Sequence, residues 1–188
     1  MEAFLVSTGF VALAEIGDKT QLLSLVLAAR YRRPLPIIAG IFLATLLNHA
    51  LASALGAWIT ATVSPHTLHW VVGVTFIVMA LWILVPDKLD KDEATTRSSS
   101  RYGLFGLTLM IFFMAEMGDK TQIATIALAA KFSAFGAVVA GTTLGMMIAN
   151  VPVVMLGHRI ADRLPVRAIR WVTMALFAAL GVAALAGT

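Results

Sequence analysis

A seven-residue polar stretch occurs twice in this chain, each time inside a long apolar segment. The copies read Glu-Ile-Gly-Asp-Lys-Thr-Gln over residues 15–21 and Glu-Met-Gly-Asp-Lys-Thr-Gln over residues 116–122, so they lie 101 residues apart. A charged side chain at the centre of a bilayer costs about 2.5–3.5 kcal/mol on insertion scales. Charges placed at that cost, twice in one pattern, indicate a function and not packing alone.

The composition sets the class of protein. Of the 188 residues, 60% are hydrophobic and 13% are charged, whereas soluble domains average about 25% charged residues. The net charge of +4 comes from basic residues in short loops, which membrane topology explains better than nucleic-acid binding. There is no cysteine, so disulfides and thiolate metal sites are excluded. The N-terminus lacks a basic region, so we expect the first apolar segment to be retained and not cleaved as a signal peptide.

Six apolar segments are long enough to cross a membrane, which requires about 20 residues each. They cover residues 3–29, 35–62, 68–85, 102–130, 132–157 and 168–186. The sequence therefore predicts an all-α integral membrane protein with six transmembrane helices. Residues 1–86 form a first transmembrane repeat, residues 87–101 a polar linker, and residues 102–188 a second repeat.

The second half of the chain repeats the first without gaps. At the offset of 101 residues, Ala39-Gly40 matches Ala140-Gly141, Leu55-Gly56 matches Leu156-Gly157, and Trp70 matches Trp171. Because each half has three spans, the second enters the membrane from the opposite side, which predicts two inverted repeats. The cation site would then lie at the repeat interface near the membrane midplane.

The distribution of Lys and Arg predicts the orientation. Outside the motifs, eleven of these residues lie in or beside the loops after spans one, three and five, and one lies after spans two and four. The positive-inside rule then places both termini outside and the linker Asp87–Arg101 in the cytoplasm.

The motif residues have the spacing of a cation site. On a helix, Glu15, Asp18 and Gln21 would share one face, as would Glu116, Asp119 and Gln122. We expect Gly17 and Gly118 to allow close helix approach or local unwinding. Four carboxylates and two lysines give a formal charge of −2, which suits a divalent cation with oxygen ligands. The predicted metal ligands are Glu15, Asp18, Glu116 and Asp119, and the supporting polar residues are Lys19, Lys120, Thr20, Thr121, Gln21, Gln122, Asn48 and Asn150.

Two roles remain open for the lysines and the asparagines. Lys19 and Lys120 could pair within their own motifs, with Glu15 and Glu116, or they could tune the charge of the site. Asn48 and Asn150 could complete the site or form hydrogen bonds across helices. Crowded, desolvated carboxylates hold protons when no cation is present, so cation binding would release protons.

The doubled motif resembles the signature of the Gdt-type family of small membrane cation transporters, over essentially the whole chain. The family pattern is Glu, an apolar residue, Gly, Asp, Lys or Arg, then Thr or Ser, and both copies satisfy it. The resemblance implies a six-span inverted-repeat fold and transport of Mn²⁺ or Ca²⁺ in exchange for protons. It also implies that Glu15, Asp18, Glu116 and Asp119 are the principal ligands or proton carriers.

The motifs and the resemblance together imply a secondary transporter, not an enzyme, that exports a divalent cation from the cytoplasm by alternating access. Mn²⁺ is the first candidate and Ca²⁺ the second, with protons as the coupling ion and no resident cofactor. The alternatives are a passive cation channel and an exporter of a small organic cation or amino acid. We expect the protein to lie in a bacterial inner membrane, with the lipid bilayer and the metal ion as its partners and no nucleic acid. A homo-oligomer is possible.

Overall fold

The computed structural model describes residues 1–85, 101–156 and 166–186. These described residues form eight helices. The helices are α1 (Glu2–Glu15), α2 (Lys19–Tyr31), α3 (Pro34–Thr62), α4 (Pro65–Trp82), α5 (Arg101–Glu116), α6 (Lys120–Phe132), α7 (Phe135–Leu156) and α8 (Val166–Leu185).

Four of these helices are long and apolar enough to cross a membrane: α3, α4, α7 and α8. They correspond to the second, third, fifth and sixth predicted segments. Each of the other two segments is divided at its motif into a pair of helices, which are 14 and 13 residues long in the first repeat and 16 and 13 in the second. A helix of that length is too short to span the hydrocarbon core alone. Of the predicted linker, residues 87–100 lie outside the described part of the chain, and Arg101 begins α5.

The distribution of polar and apolar side chains is that of a membrane protein. Large apolar residues lie on the surface, with Trp58 62% and Leu81 65% exposed, whereas Glu15 and Glu116 are fully buried. In water, exposed apolar surface on this scale would be unfavourable. The arrangement is consistent with apolar helices that face lipid and enclose polar groups.

The repeat is visible in the packing of matched glycines. Gly40 of α3 lies against α5, where an added Cβ would be 2.9 Å from the carbonyl oxygen of Phe105. Its repeat equivalent, Gly141 of α7, lies against α1, where a Cβ would be 2.6 Å from the carbonyl oxygen of Phe4. Each half therefore packs its broken pair of helices against the long helix of the other half, and the glycines permit the close approach.

Two buried apolar clusters divide the molecule. The first, which we call the Phe10 core, is formed mainly by α1, α4, α6 and α8 and includes Phe76, Leu128 and Phe177. The second, the Leu27 core, is formed mainly by α2, α3 and α5 and includes Ile41. The polar motifs lie at the helix breaks between these two cores.

Candidate functional site

The chain unwinds at the same point in both motifs. Gly17 has φ +82° and Gly118 has φ +76°, a left-handed conformation that glycine adopts without strain. The following aspartates, Asp18 and Asp119, are extended and occupy the N-cap positions of α2 and α6, without a side-chain capping hydrogen bond. The expectation that Glu15 and Asp18 share one face of a continuous helix is therefore wrong, because α1 ends at Glu15. The two glycines were expected to allow either close helix approach or local unwinding, and the structure has local unwinding.

The two motif glutamines hold these turns in place. The Gln21 Oε1 accepts a hydrogen bond from the Gly17 backbone N–H at 2.9 Å, and the Gln122 Oε1 accepts one from the Gly118 N–H at 2.7 Å. The Gln21 Nε2 also donates to the backbone carbonyl of Ala149 in the other repeat, at 3.1 Å. In this structure both amide oxygens therefore stabilise the break.

Asn48 and Asn150 connect the repeats. Asn48 donates to the backbone carbonyl of Phe113 at 3.3 Å and accepts a hydrogen bond from the Gln122 side chain. Asn150 accepts a hydrogen bond from the Ser24 hydroxyl, at 2.6 Å. Of the two roles left open, the structure has hydrogen bonds across helices, each linking a long helix to the broken pair of the other repeat. Ser24 was not predicted, and nothing in its apolar surroundings distinguishes it in the sequence.

Three of the four predicted acidic ligands come together. Glu15, Asp18 and Asp119 each offer a carboxylate oxygen, and these oxygens lie within 4.8 Å of one another. Glu15 is fully buried and the two aspartates are 5% exposed. Glu116 is also fully buried but lies outside this set, and among the described residues neither of its oxygens has a hydrogen-bond partner. We refer to the first three residues as the carboxylate cluster.

Both motif threonines donate to Glu15. The Thr20 hydroxyl donates to Glu15 Oε2 at 2.6 Å, and the Thr121 hydroxyl of the second motif donates to Glu15 Oε1. Hydrogen bonds to a carboxylate fix the orientation of its oxygens. A glutamate with one donor from each repeat is therefore fixed in position at the repeat interface.

The lysines pair across the repeats. Lys19 Nζ lies 3.8 Å from Asp119 Oδ1, and Lys120 Nζ lies 4.0 Å from Asp18 Oδ1. One of the two roles left open was pairing of each lysine with the glutamate of its own motif. The structure does not have this pairing, because the helix break separates Glu15 from Lys19. Each lysine is the first residue of its helix, where the helix dipole disfavours a positive charge. The lysines therefore do not stabilise the starts of their helices. Their positions are explained by the aspartates of the other repeat, with which they pair.

Arg170 is a further basic residue beside the motif. It is one of the eleven basic residues that the sequence places in or beside a loop, here the loop after span five. It lies within α8, and its guanidinium donates to the backbone carbonyl of Gly17 at 3.4 Å. Together with Ile83 it lines a small cavity at the first motif. Its position inside the sixth apolar segment is the sequence signal that could have revealed this role.

These features define a class of protein: a membrane protein whose broken helices enclose a buried cluster of acidic oxygen ligands. Carboxylate oxygens are the ligands that hard divalent cations such as Mn²⁺, Ca²⁺ and Mg²⁺ prefer. The C-terminal ends of α1 and α5 also place backbone carbonyls near the breaks, an arrangement that transporters use for cations.

Comparison with known proteins gives the family. The chain matches the family described as divalent cation/proton antiporter GDT1 over residues 3–91 and 104–188. It belongs to this GDT1 family, and it is therefore an integral membrane cation transporter and not an enzyme. The recognition from the doubled motif is confirmed.

Individual relatives extend across the family. A Vibrio cholerae protein described as "Putative manganese exporter" is 55% identical over 184 residues, covering 97% of this chain and 90% of the relative. A GDT1-like protein of Synechocystis is 27% identical over 198 residues, covering 94% and 93%. GDT1-like protein 5 of Arabidopsis thaliana is 27% identical over 220 residues, covering 98% and 96%. No solved structure matched the chain.

Proposed function

We propose that this protein is a secondary active transporter that exports Mn²⁺ from the cytoplasm in exchange for protons, with Ca²⁺ as the second candidate cargo. The observation that carries the proposal is the carboxylate cluster, in which buried acidic oxygens from both repeats lie within 4.8 Å of one another. Its ligand chemistry suits a hard divalent cation. The Vibrio cholerae relative, described as a manganese exporter, supports the choice of Mn²⁺.

Charge balance supports a divalent cargo. Two motif aspartates face the two motif lysines at 3.8 and 4.0 Å. The two motif glutamates are fully buried and contribute the remaining two negative charges when ionised. One divalent cation, or two protons, would neutralise them. Since a buried uncompensated charge is costly, exchange of one cation for two protons keeps the site neutral throughout transport.

The membrane arrangement follows the same proposal. Each broken pair of helices, α1–α2 and α5–α6, crosses the bilayer as one span, which gives six spans in two inverted repeats. Inverted repeats with broken helices at the midplane are a recurring design for alternating access. The positive-inside rule places both termini outside and the linker in the cytoplasm of a bacterial inner membrane.

The experiment is transport by the purified protein in liposomes with an imposed pH gradient. We expect saturable Mn²⁺ movement that depends on the gradient, with Ca²⁺ and Mg²⁺ as competitors. Asp18→Asn and Asp119→Asn should each abolish it. Glu2→Gln is the matched control, because Glu2 is an exposed acidic residue outside the site, and it should transport normally.

Different outcomes separate the alternatives. Flux without saturation and without pH dependence would identify a cation channel. Transport retained in the combined Asp18→Asn and Asp119→Asn variant would refute the proposed site. Proton-coupled movement of an organic cation or an amino acid, with no divalent-cation movement, would refute the cargo.

A further inference from the structure

Helices α4 and α8 form a closely packed pair. A Cβ added at Gly73 would lie 2.5 Å from Leu185 Cγ, and one at Gly181 would lie 2.8 Å from Ile77, so the two helices approach closely. The rings of Phe76 and Phe177 are 6.2 Å apart between centroids. These phenylalanines are repeat equivalents, so the pair is built around matched residues from the two halves.

Among the described residues, this pair is docked mainly on one side of the molecule. α4 packs on α6 and α8 packs on α1, where the ring of Phe10 lies 3.8 Å from that of Phe177 and 6.1 Å from that of Phe76, between centroids. In the described part of the chain, the repeat-equivalent contacts, α8 with α2 and α4 with α5, are marginal at most. The equivalent of Phe10 is Ile111 of α5, which packs in the Leu27 core instead.

The ends of α6 and α2 differ in exposure, and the α4–α8 pair lies beside the buried one. Ala130, near the end of α6, is 3% exposed and lines a cavity with Leu68 of α4. Its repeat equivalent, Ala29 near the end of α2, is exposed. The sequence around the two alanines is matched. Ala130 is covered by α4 and by the close approach of α3 at Gly56, whose repeat equivalent lies outside the described residues.

Arg170 joins this pair to the first motif. Its guanidinium donates to the Gly17 carbonyl, and the Gly17 turn is half-buried, whereas the equivalent Gly118 turn is exposed. The repeat equivalent of Arg170 is His69, which lines the cavity at the far end of α4, beside Ala130. The contact at Gly17 therefore has no counterpart at Gly118 among the described residues.

We propose that the α4–α8 pair is the moving body of this transporter and that Arg170 is the positioning residue that holds it in the observed place. In the second position, the pair docks on α5 and α2, Ile111 meets the two phenylalanines, and His69 lies at the Gly118 turn. On this proposal the observed position closes the site on the side of the cavity beside Ala130, and the second position closes it on the side of the loop at residues 30–33. On the proposed orientation that loop is cytoplasmic, so this inference rests on the proposed function.

The first experiment is thiol labelling in liposomes, which is free of background because the chain has no cysteine. Ala29→Cys and Ala130→Cys are made separately, and the ratio of their labelling rates reports where the pair is docked. We expect the Ala29→Cys protein to react at least about tenfold faster, since the exposed position corresponds to the populated state. Equal rates would overturn the assignment of a single docked position.

Arg170 is tested in the same backgrounds. Arg170→Ala should lower that ratio roughly tenfold, the effect of losing a charged hydrogen bond on a two-state equilibrium. Arg170→Lys should restore part of it. Arg167→Ala, a change in the first turn of the same helix on an exposed side chain, is the control and should leave the ratio unchanged. A ratio unaffected by Arg170→Ala, or affected equally by Arg167→Ala, would refute the role of Arg170.

A tether tests whether the movement is needed for transport. Leu68→Cys and Ser133→Cys, which line the same cavity on α4 and at the end of α6, are joined with a bifunctional methanethiosulfonate, which forms a disulfide with each thiol and releases methanesulfinate. The tethered protein should lose Mn²⁺ transport by at least about tenfold and regain it on reduction. A matched tether between Glu2→Cys and Lys131→Cys, across α1 and α6 in that cavity, should leave transport intact.

The outcomes distinguish this inference from the proposed function. If the Leu68–Ser133 tether leaves transport as fast as the matched control, the pair does not move during transport and the inference is refuted. If no cargo is transported but the labelling ratio responds to Arg170→Ala, the two positions of the pair stand and the proposed function fails. Labelling requires no cargo, so the two results are independent.

Discussion

Replacing Thr121 by valine removes one specific contact of the site. The Thr121 hydroxyl donates to Glu15 Oε1 across the repeat interface, and valine has nearly the same volume without the hydroxyl. A hydrogen bond to a charged group contributes about 1.5–3 kcal/mol. Because the Thr20 hydroxyl still donates to the other oxygen of Glu15, we expect the lower end of this range, an about tenfold weaker binding of Mn²⁺.

The assay is calorimetric titration of the purified protein with Mn²⁺, supported by transport in liposomes. Thr125→Val is the matched control, because Thr125 is buried one turn further along α6 and its hydroxyl donates to a backbone carbonyl, that of Thr121, at 2.8 Å. It should bind Mn²⁺ within about threefold of the unmodified protein. Thr121→Ser keeps the hydroxyl and should recover most of the lost affinity.

One pattern of results would refute this reasoning. If Thr121→Val binds Mn²⁺ as tightly as the unmodified protein, Glu15 is not held by Thr121 in the cation-bound state. If Thr125→Val loses as much affinity as Thr121→Val, the loss reports the packing of α6 and not the contact with the carboxylate.

Three further predictions concern the turn, the lysines and protons. Gly118→Ala should lower the free energy of unfolding, measured by thermal denaturation, by about 1 kcal/mol, because alanine is strained at φ +76° although its Cβ has open space. Gly106→Ala is the control, since this glycine is equally open but helical, and it should not lower the stability. Equal effects would contradict a conformational cause. Lys120→Gln should tighten Mn²⁺ binding in titration, since its ammonium lies 4.0 Å from Asp18 Oδ1 and competes with the cation; weaker binding would mean that Lys120 organises the site. Mn²⁺ affinity should fall with falling pH, since protons compete for the same oxygens, and pH-independent titrations would exclude proton exchange at these carboxylates.

The burial of the acidic motif residues could be predicted from the sequence, because a charge in an apolar segment is costly and this one pattern occurs twice. The doubled motif predicts one buried group of four carboxylates. All four are buried, but the oxygens of only three of them lie within 4.8 Å of one another among the described residues, and Glu116 is the exception. The glycines indicated a point where a helix could unwind, and both turns have positive φ. These inferences need only local chemistry and the offset between the halves.

What the sequence could not predict depends on contacts between the halves. Pairing of Lys19 with Glu15 follows from helical spacing, but the turn at Gly17 redirects α2 and brings Lys19 within 3.8 Å of Asp119 instead. The contact of Arg170 with Gly17 joins residues 153 positions apart. No periodicity in a single segment encodes such distances, since they follow from how the repeats interlock.

The asymmetry of the site is the most informative difference. The two motifs differ only at Ile16 and Met117, yet both motif threonines donate to Glu15, and neither oxygen of Glu116 has a partner among the described residues. Because the two motifs are nearly identical in sequence, the difference in hydrogen bonding between Glu15 and Glu116 must come from their surroundings. The one-sided docking of the α4–α8 pair is the difference in surroundings that accompanies it. On the proposed mechanism the halves exchange environments in a second arrangement, and alternation between two such states is what alternating access requires.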